Sequence, residues 1–308
     1  MNKENEQNKE ETTRVNNEEK TIIKNIVCSG GGIAGFAFYG AIKECCNQGL
    51  WHIDNIETIY GTSIGTFLAV VLALKYDWKT LDDYLIKRPW QNVFKFNLYT
   101  IIESLQRRGI FGREVIVDFF LPLFNGKDIS IDITMSELYE LTKIEIHMFA
   151  TEIINFNITD ISYKTHPDWK VIDAVYSSSA IPIIFSPLLK DDLCYCDGAL
   201  FTNYPLNECI SNGAKPEEII GLYYVFKNQN IKLVNSESSL FDYIMTIIKK
   251  LIGTTSMQKS YKIAHEFRIN SPSISIYDIV NTTSDINERI RLIQHGIDCV
   301  KSNLTISS

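Results

Sequence analysis

Only one residue separates two apolar segments in the first quarter of this chain. Residues 56–62 read as a buried strand, residues 64–74 read as an apolar helix, and Ser63 stands alone between them. A strand that becomes a helix without a loop must turn sharply, and Gly61-Thr62-Ser63-Ile64-Gly65 supplies the small residues for such a turn. In that context G-x-S-x-G lifts a serine hydroxyl above the end of a sheet, with the N–H of Ile64 facing the same space. The competing reading is a serine that merely caps a helix.

The same alternation continues along the chain. Residues 22–29 form a β-branched run ending in glycines, and a helix over 34–48 follows, closed by Gly49. Helical periodicity recurs near 80–87, 113–121, 134–142 and 284–301, and strands are expected at 144–154 and 219–225. Strand, helix, strand, helix predicts a parallel sheet covered on both faces. With no internal repeat and no Pro- or Gly-rich linker, residues 21–308 are expected to form one α/β domain. Residues 88–112, carrying Trp90, Phe94, Phe96, Tyr99 and Phe111, fit the alternation poorly and read as an insertion.

Composition narrows the class. The chain of 308 residues is 45% hydrophobic, enough to bury a large core without staples. Lys plus Arg number 30 against 37 Asp plus Glu, a net charge of −7 that argues against nucleic acid as the partner. The seven cysteines include no CxxC pair and read as free thiols in a reducing compartment, and no metal or cofactor is implied. Residues 1–20 carry four basic and six acidic side chains and read as a solvated, disordered tail without the apolar core of a secretory signal. The longest apolar run, residues 67–74, is far shorter than the roughly 20 residues of a membrane span. The expected setting is cytoplasmic, with contact to membranes at most peripheral.

Two further stretches carry chemistry. Gly30-Gly31-Gly32-Ile33-Ala34-Gly35 lies between strand and helix, where backbone N–H groups gather at a helix N-terminus. Gly30, Gly32 and Gly35 also satisfy the dinucleotide fingerprint G-x-G-x-x-G. That reading needs an acid at the end of the second strand, whereas Asp54 and Glu57 lie before it or at its start. Downstream, Ser177-Ser178-Ser179-Ala180-Ile181-Pro182 precedes Cys196-Asp197-Gly198-Ala199 and Asn203-Tyr204-Pro205. Asp197 closes a short strand, so its carboxylate either projects into a site or simply marks a turn. A serine nucleophile needs a base. In triad order the histidines available are His265, in a helical stretch, and His295, in the last helix; neither has loop chemistry around it.

In these blocks the sequence resembles the patatin-like phospholipases. The resemblance runs in order through the glycine run at 30–35, the elbow at 61–65, the Ser-Ser-Ala-Ile-Pro stretch ending at Pro182, and Asp197-Gly198-Ala199 with Asn203-Tyr204-Pro205, all within residues 24–212. It implies a three-layer α/β/α fold with a mainly parallel central sheet. It also implies a lipid acyl hydrolase of the phospholipase A type, with Ser63 as nucleophile, Asp197 as general base and no metal or cofactor. Backbone N–H groups of Gly31, Gly32 and Ile64 would form the oxyanion hole, and Gly30, Gly35, Gly61, Gly65 and Gly198 would shape the elbow and loops. Family members often carry Arg or Lys where this chain has Ala34, so a cationic contribution at that place is missing. Two other readings stay open: a lipid-binding protein of the same fold with impaired catalysis, and a dinucleotide-binding protein using Gly30, Gly32 and Gly35.

The implied partner is a phospholipid or other acyl lipid at a membrane surface. Two segments offer contact with it. One is the aromatic stretch with Trp90, Phe94, Phe96 and Tyr99, bracketed by Lys87-Arg88 and Arg107-Arg108. The other is a stripe of Leu240, Tyr243, Ile244, Ile247, Ile248 and Leu251 beside Lys249-Lys250. Each either meets the interface or packs against the core.

Overall fold

The computed structural model describes residues 21–95, 98–225, 234–255, 261–270 and 276–307. The tail expected over residues 1–20 and the side chains of Phe96 and Tyr99 lie outside that description.

Strands β1 (Asn25–Cys28), β2 (Thr58–Thr62), β4 (Glu145–Glu152), β5 (Asn157–Ile161), β7 (Leu188–Lys190), β8 (Leu193–Asp197), β9 (Ile219–Val225) and β10 (His265–Asn270) form one sheet. Its order is β10-β9-β1-β2-β4-β8-β7, with β5 also paired to β4. Pairing is parallel from β10 to β4 and antiparallel beyond it. β1 is buried along its whole length and alternates between two cores: Ile26 and Cys28 face the larger, Val27 the smaller. Burial on both faces is why it reads as a continuous apolar run. The helices are α1 (Gly35–Asn47), α2 (Ile64–Ala73), α3 (Trp78–Lys87), α4 (Leu98–Arg107), α5 (Glu114–Asn125), α6 (Met135–Thr142), α7 (Val171–Ser179), α8 (Leu206–Ser211), α9 (Leu240–Thr255), α10 (Ile276–Ser284) and α11 (Ile286–Ser307). α1, α2 and α7 cover the face with the larger core and α8 packs on the other, giving the expected three layers.

Local chemistry sets the ends of several helices. Asp77 caps α3 through the N–H of Thr80, and Thr134 with Glu137 forms a reciprocal capping box on α6. The stretch expected as an insertion is a short turn at Trp90–Asn92, then α4 and strand β3 (Gly109–Phe111). β3 pairs in parallel with β6 (Ile183–Phe185) in a separate two-stranded sheet. His265 begins edge strand β10 rather than lying in a helix, because β9 supplies it with a parallel partner.

Strand register fixes the site. Cys28 pairs with Gly61, Thr62 with Phe149, and Ala150 with Asp197. β5 takes the other edge of β4, so the residue after β2 and the last residue of β8 reach the same level along one edge of β4.

One buried cation ties the C-terminal helices to this frame. The guanidinium of Arg289 donates to the carbonyls of Ile86, Thr282 and Thr283 at 2.8–3.0 Å, and Arg289 is buried. Removing it leaves several buried carbonyls unpaired. Arg289→Met is expected to lower unfolding free energy by about 3 kcal/mol in urea titration, with Arg289→Lys recovering part of the loss.

Candidate active site

Ser63 connects β2 to α2 at φ 54° and ψ −123°, a backbone conformation that costs a non-glycine residue about 1–3 kcal/mol. Its surroundings hold it there. Its N–H donates to Ser178 Oγ at 3.0 Å, and that hydroxyl donates onward to the carbonyl of Phe149. Its carbonyl accepts from Thr66 Oγ1 at 2.7 Å. α2 starts so close to β1 that a Cβ on Gly65 would lie 2.4 Å from the carbonyl oxygen of Cys28. The elbow glycine is thus required by close approach.

Ser63 Oγ donates to Asp197 Oδ2 at 2.6 Å. The other carboxylate oxygen accepts from the N–H of Ala199 at 2.9 Å, so the turn at Gly198 orients the group that precedes it. Thr151 Oγ1 donates to the Asp197 carbonyl at 2.9 Å and pins the end of β8 to β4. Asp197 is fully enclosed, and burial pushes its pKa up to about 6, while the bonds from Ser63 and Ala199 pull it back down.

The glycine run wraps the opposite side of Ser63. The N–H of Gly30 donates to the carbonyl of Asn203, and a Cβ on Gly30 would lie 2.5 Å from Asn203 Oδ1 and 3.2 Å from Ser63 Cβ. Gly30, Gly31, Gly32, Gly35 and Ile64 all line a cavity that contains Ser63 and Asp197. Ala34 is fully buried, so its place in this loop is an apolar packing position.

That cavity holds about 170 Å³ and is walled mainly by apolar side chains, among them Phe36, Phe67, Trp90, Phe119 and Phe185. Apolar cavities of about this size stay dry and accept hydrocarbon. Trp90 is a wall of this cavity rather than a membrane contact: it is buried, donates its indole N–H to the carbonyl of Leu85 at 2.8 Å and stacks on Phe119. Phe94 lines the same space. The aromatic insertion therefore packs inward at these two positions.

Other sequence candidates lie elsewhere. Among the described residues no histidine lines the cavity. His265 pairs with Ile220, level with Ile26 and away from the elbow end of the sheet, and His295 Nε2 meets the carbonyl of Asn270 at 2.5 Å. Asp54 and Glu57 are exposed, ion-paired to Lys75 and Lys24, and sit at the opposite end of β2 from the glycine run. The acid required for a ribose is thus missing from this end. Sequence reasoning assigned no role to Ser178, because three consecutive serines are chemically alike until α7 lies against β4.

The patatin-like phospholipase family model matches residues 26–210, which contain the elbow, Asp197 and the glycine run. The chain belongs to the patatin-like phospholipase family. Among individual relatives, it is 25% identical over 294 residues to an uncharacterized protein, R571, of Acanthamoeba polyphaga mimivirus, covering 92% of this chain and 94% of that one. It is 28% identical over 237 residues to the probable lipid hydrolase 463L of Invertebrate iridescent virus 6, covering 70% of this chain and 80% of that one. The crystal structure of VipD from Legionella pneumophila shares the fold with a TM-score of 0.54 at 16% identity, over 92% of this chain; this chain spans 66% of the VipD chain.

The enclosure of Asp197 makes its charge costly, with a testable consequence. Between its ordinary pKa of 3.8 and about 6 the folded protein keeps a proton that the unfolded chain has released. Stability therefore falls as pH rises through that window and levels off above it. Asp197→Asn is expected to be more stable than wild type by about 2 kcal/mol at pH 7.5, with the advantage shrinking as pH falls toward 4 in paired urea titrations. Ser178→Ala strands the N–H of Ser63 and should lower stability by about 1–3 kcal/mol in the same assay.

Proposed function

We propose that this protein hydrolyses fatty-acyl esters of lipids through a Ser63–Asp197 dyad, acting as a lipid acyl hydrolase of the phospholipase A type, with residues 21–308 working as one unit. The observation that carries this reading is the 2.6 Å bond from Ser63 Oγ to Asp197 Oδ2 at the edge of an apolar cavity. The family and the probable lipid hydrolase 463L support the reaction class.

The residue chemistry gives the steps. An acyl chain enters the cavity and brings its ester carbonyl to Ser63. Asp197 takes the Ser63 proton while Oγ bonds to the carbonyl carbon. The oxyanion is met by the backbone N–H groups of Gly31, Gly32 and Ile64, each worth about 3 kcal/mol at the transition state. As the tetrahedral adduct collapses, Asp197 gives the proton to the departing alkoxide, and the free alcohol or lysolipid leaves. Water then donates a proton to Asp197 as it attacks the acyl-enzyme, and the second collapse returns that proton to Ser63 Oγ as fatty acid departs. A carboxylate at its ordinary pKa would be a weak base for this work, and burial strengthens it.

The preformed hydrogen bond from Ser63 to Asp197 favours turnover over a purely lipid-binding role. The apolar lining and the absence of a ribose-binding acid at the end of β2 disfavour a dinucleotide.

Ser63→Ala is expected to abolish labelling by a fluorophosphonate and to cut fatty-acid release from phosphatidylcholine by at least ~10³-fold. Asp197→Asn should do the same to turnover. Release retained by Ser63→Ala would overturn the mechanism. In wild type the rate should rise with pH through a limb near 6, as the Asp197 carboxylate loses its proton.

A further inference from the structure

β4 runs past the level of the dyad. Ala150 pairs with Asp197, yet the strand continues to Glu152, and Ile153-Ile154-Asn155-Phe156 then turn the chain back into β5. At ~3.3 Å per residue the tip stands about 10 Å beyond Ser63, on the end of the sheet where the cavity lies. Glu152 itself is buried, and its carboxylate accepts from the N–H of Ile154, the N–H of Asn155 and the Asn155 side-chain amide at 2.5–2.9 Å. A buried carboxylate thus braces a turn that puts two apolar side chains in water: Phe156 is 65% and Ile154 63% exposed.

This turn is continuous with a second apolar surface. Phe156 packs on Phe201 with ring centroids 4.9 Å apart, directly after the 198–200 turn that orients Asp197. α9 packs on the same turn. Its inner face buries Met245, Ile248 and Ile252, and Ile252 lines the cavity. Leu240, Tyr243, Ile247 and Leu251, spaced as one helical stripe, are exposed on its outer face, with Leu240 at 74%. The stripe expected from sequence is thus two faces, one packed and one bare. An amphipathic surface helix normally shows water a polar face. Lys250 lies along the exposed stripe, a cation placed to reach headgroup phosphates.

We propose that the β4–β5 turn and the outer stripe of α9 form one membrane-docking surface that seats the cavity mouth on a phospholipid bilayer. The occupant is a lipid surface because α9 carries Ile252 inside the cavity and Leu251 outside, so an acyl chain leaving a bilayer held there passes from hydrocarbon to hydrocarbon. The proposal rests on the lipid-hydrolase reading above, and it adds how the substrate is reached. Being apolar, docking is weakly sensitive to salt, in keeping with a chain of net charge −7.

The test pairs vesicle partitioning with a soluble substrate. Phosphatidylcholine vesicles are sedimented with wild type, with Ile154→Ser/Phe156→Ser and with Leu240→Ser/Leu251→Ser, while p-nitrophenyl butyrate reports the dyad without a membrane. Each double variant is expected to lose vesicle binding and phospholipid turnover by about tenfold or more and to keep butyrate hydrolysis within about twofold. Ile154→Trp should gain fluorescence that brominated phosphatidylcholine quenches. Unchanged partitioning in both double variants, or no quenching, overturns the proposal. So does a wild-type dimer that the variants split while vesicles are ignored, because the surface then belongs to a second copy. Wild type that docks through these residues but hydrolyses neither substrate upholds the docking surface and removes the hydrolase reading.

Discussion

A carboxylate enclosed by protein and bonded to a serine in a strained backbone conformation is the contact on which the rest of this structure depends. Among the described residues, the Ser63 hydroxyl and the Ala199 N–H are what replaces water around an ionised Asp197, and Ser63 at φ 54° would relax if its neighbours allowed it. Ser178, Thr66 and the contact of Gly65 with β1 hold the serine, while Thr151 and the Gly198 turn hold the acid. These supports come from β1, β4, α2 and α7, so the hydrogen-bonded pair is anchored to the sheet itself. The cost of burial and strain is borne by packing elsewhere, and burial raises the pKa of Asp197, which in the proposed mechanism would make it a stronger base than a solvated carboxylate.

The apolar cavity extends the same logic to binding. Trp90, Phe119 and Phe67 form a run of ring contacts from the turn after α3 to α2, and Ser63 starts α2. The apolar wall of the cavity is therefore built on the layer that also positions Ser63. Arg289 fastens the last turn of α3 to α10 and α11 through backbone carbonyls, beside Thr282 and Thr283, which line the cavity. On the outside, the buried Glu152 plays for the β4–β5 turn the part that Ser178 plays for the elbow, a polar group spent on holding a backbone in place.

Much of this was legible in the sequence. The boundaries of α2 and β9 follow from their unbroken apolar runs, and the elbow follows from having one residue between strand and helix. The stretch over 88–112 was not legible, since Phe111 serves a small separate sheet and Trp90 and Phe94 serve a cavity wall rather than a second amphipathic layer. His265 was misplaced for a related reason: periodicity in a short edge segment is weak, and a neighbouring strand made it β10.

The sequence by itself determined the layered α/β class and the family blocks that contain Ser63 and Asp197, because these are local patterns of period, turn chemistry and spacing. Tertiary structure alone decided which of three serines braces the elbow, that Trp90 faces the cavity, and that α9 has one apolar face buried and another bare. Those outcomes depend on register between residues far apart in the chain, such as Ala150 with Asp197 and Ser63 with Ser178. Local periodicity shows that a side chain is apolar or able to hydrogen-bond; only the packing of distant elements decides what it touches.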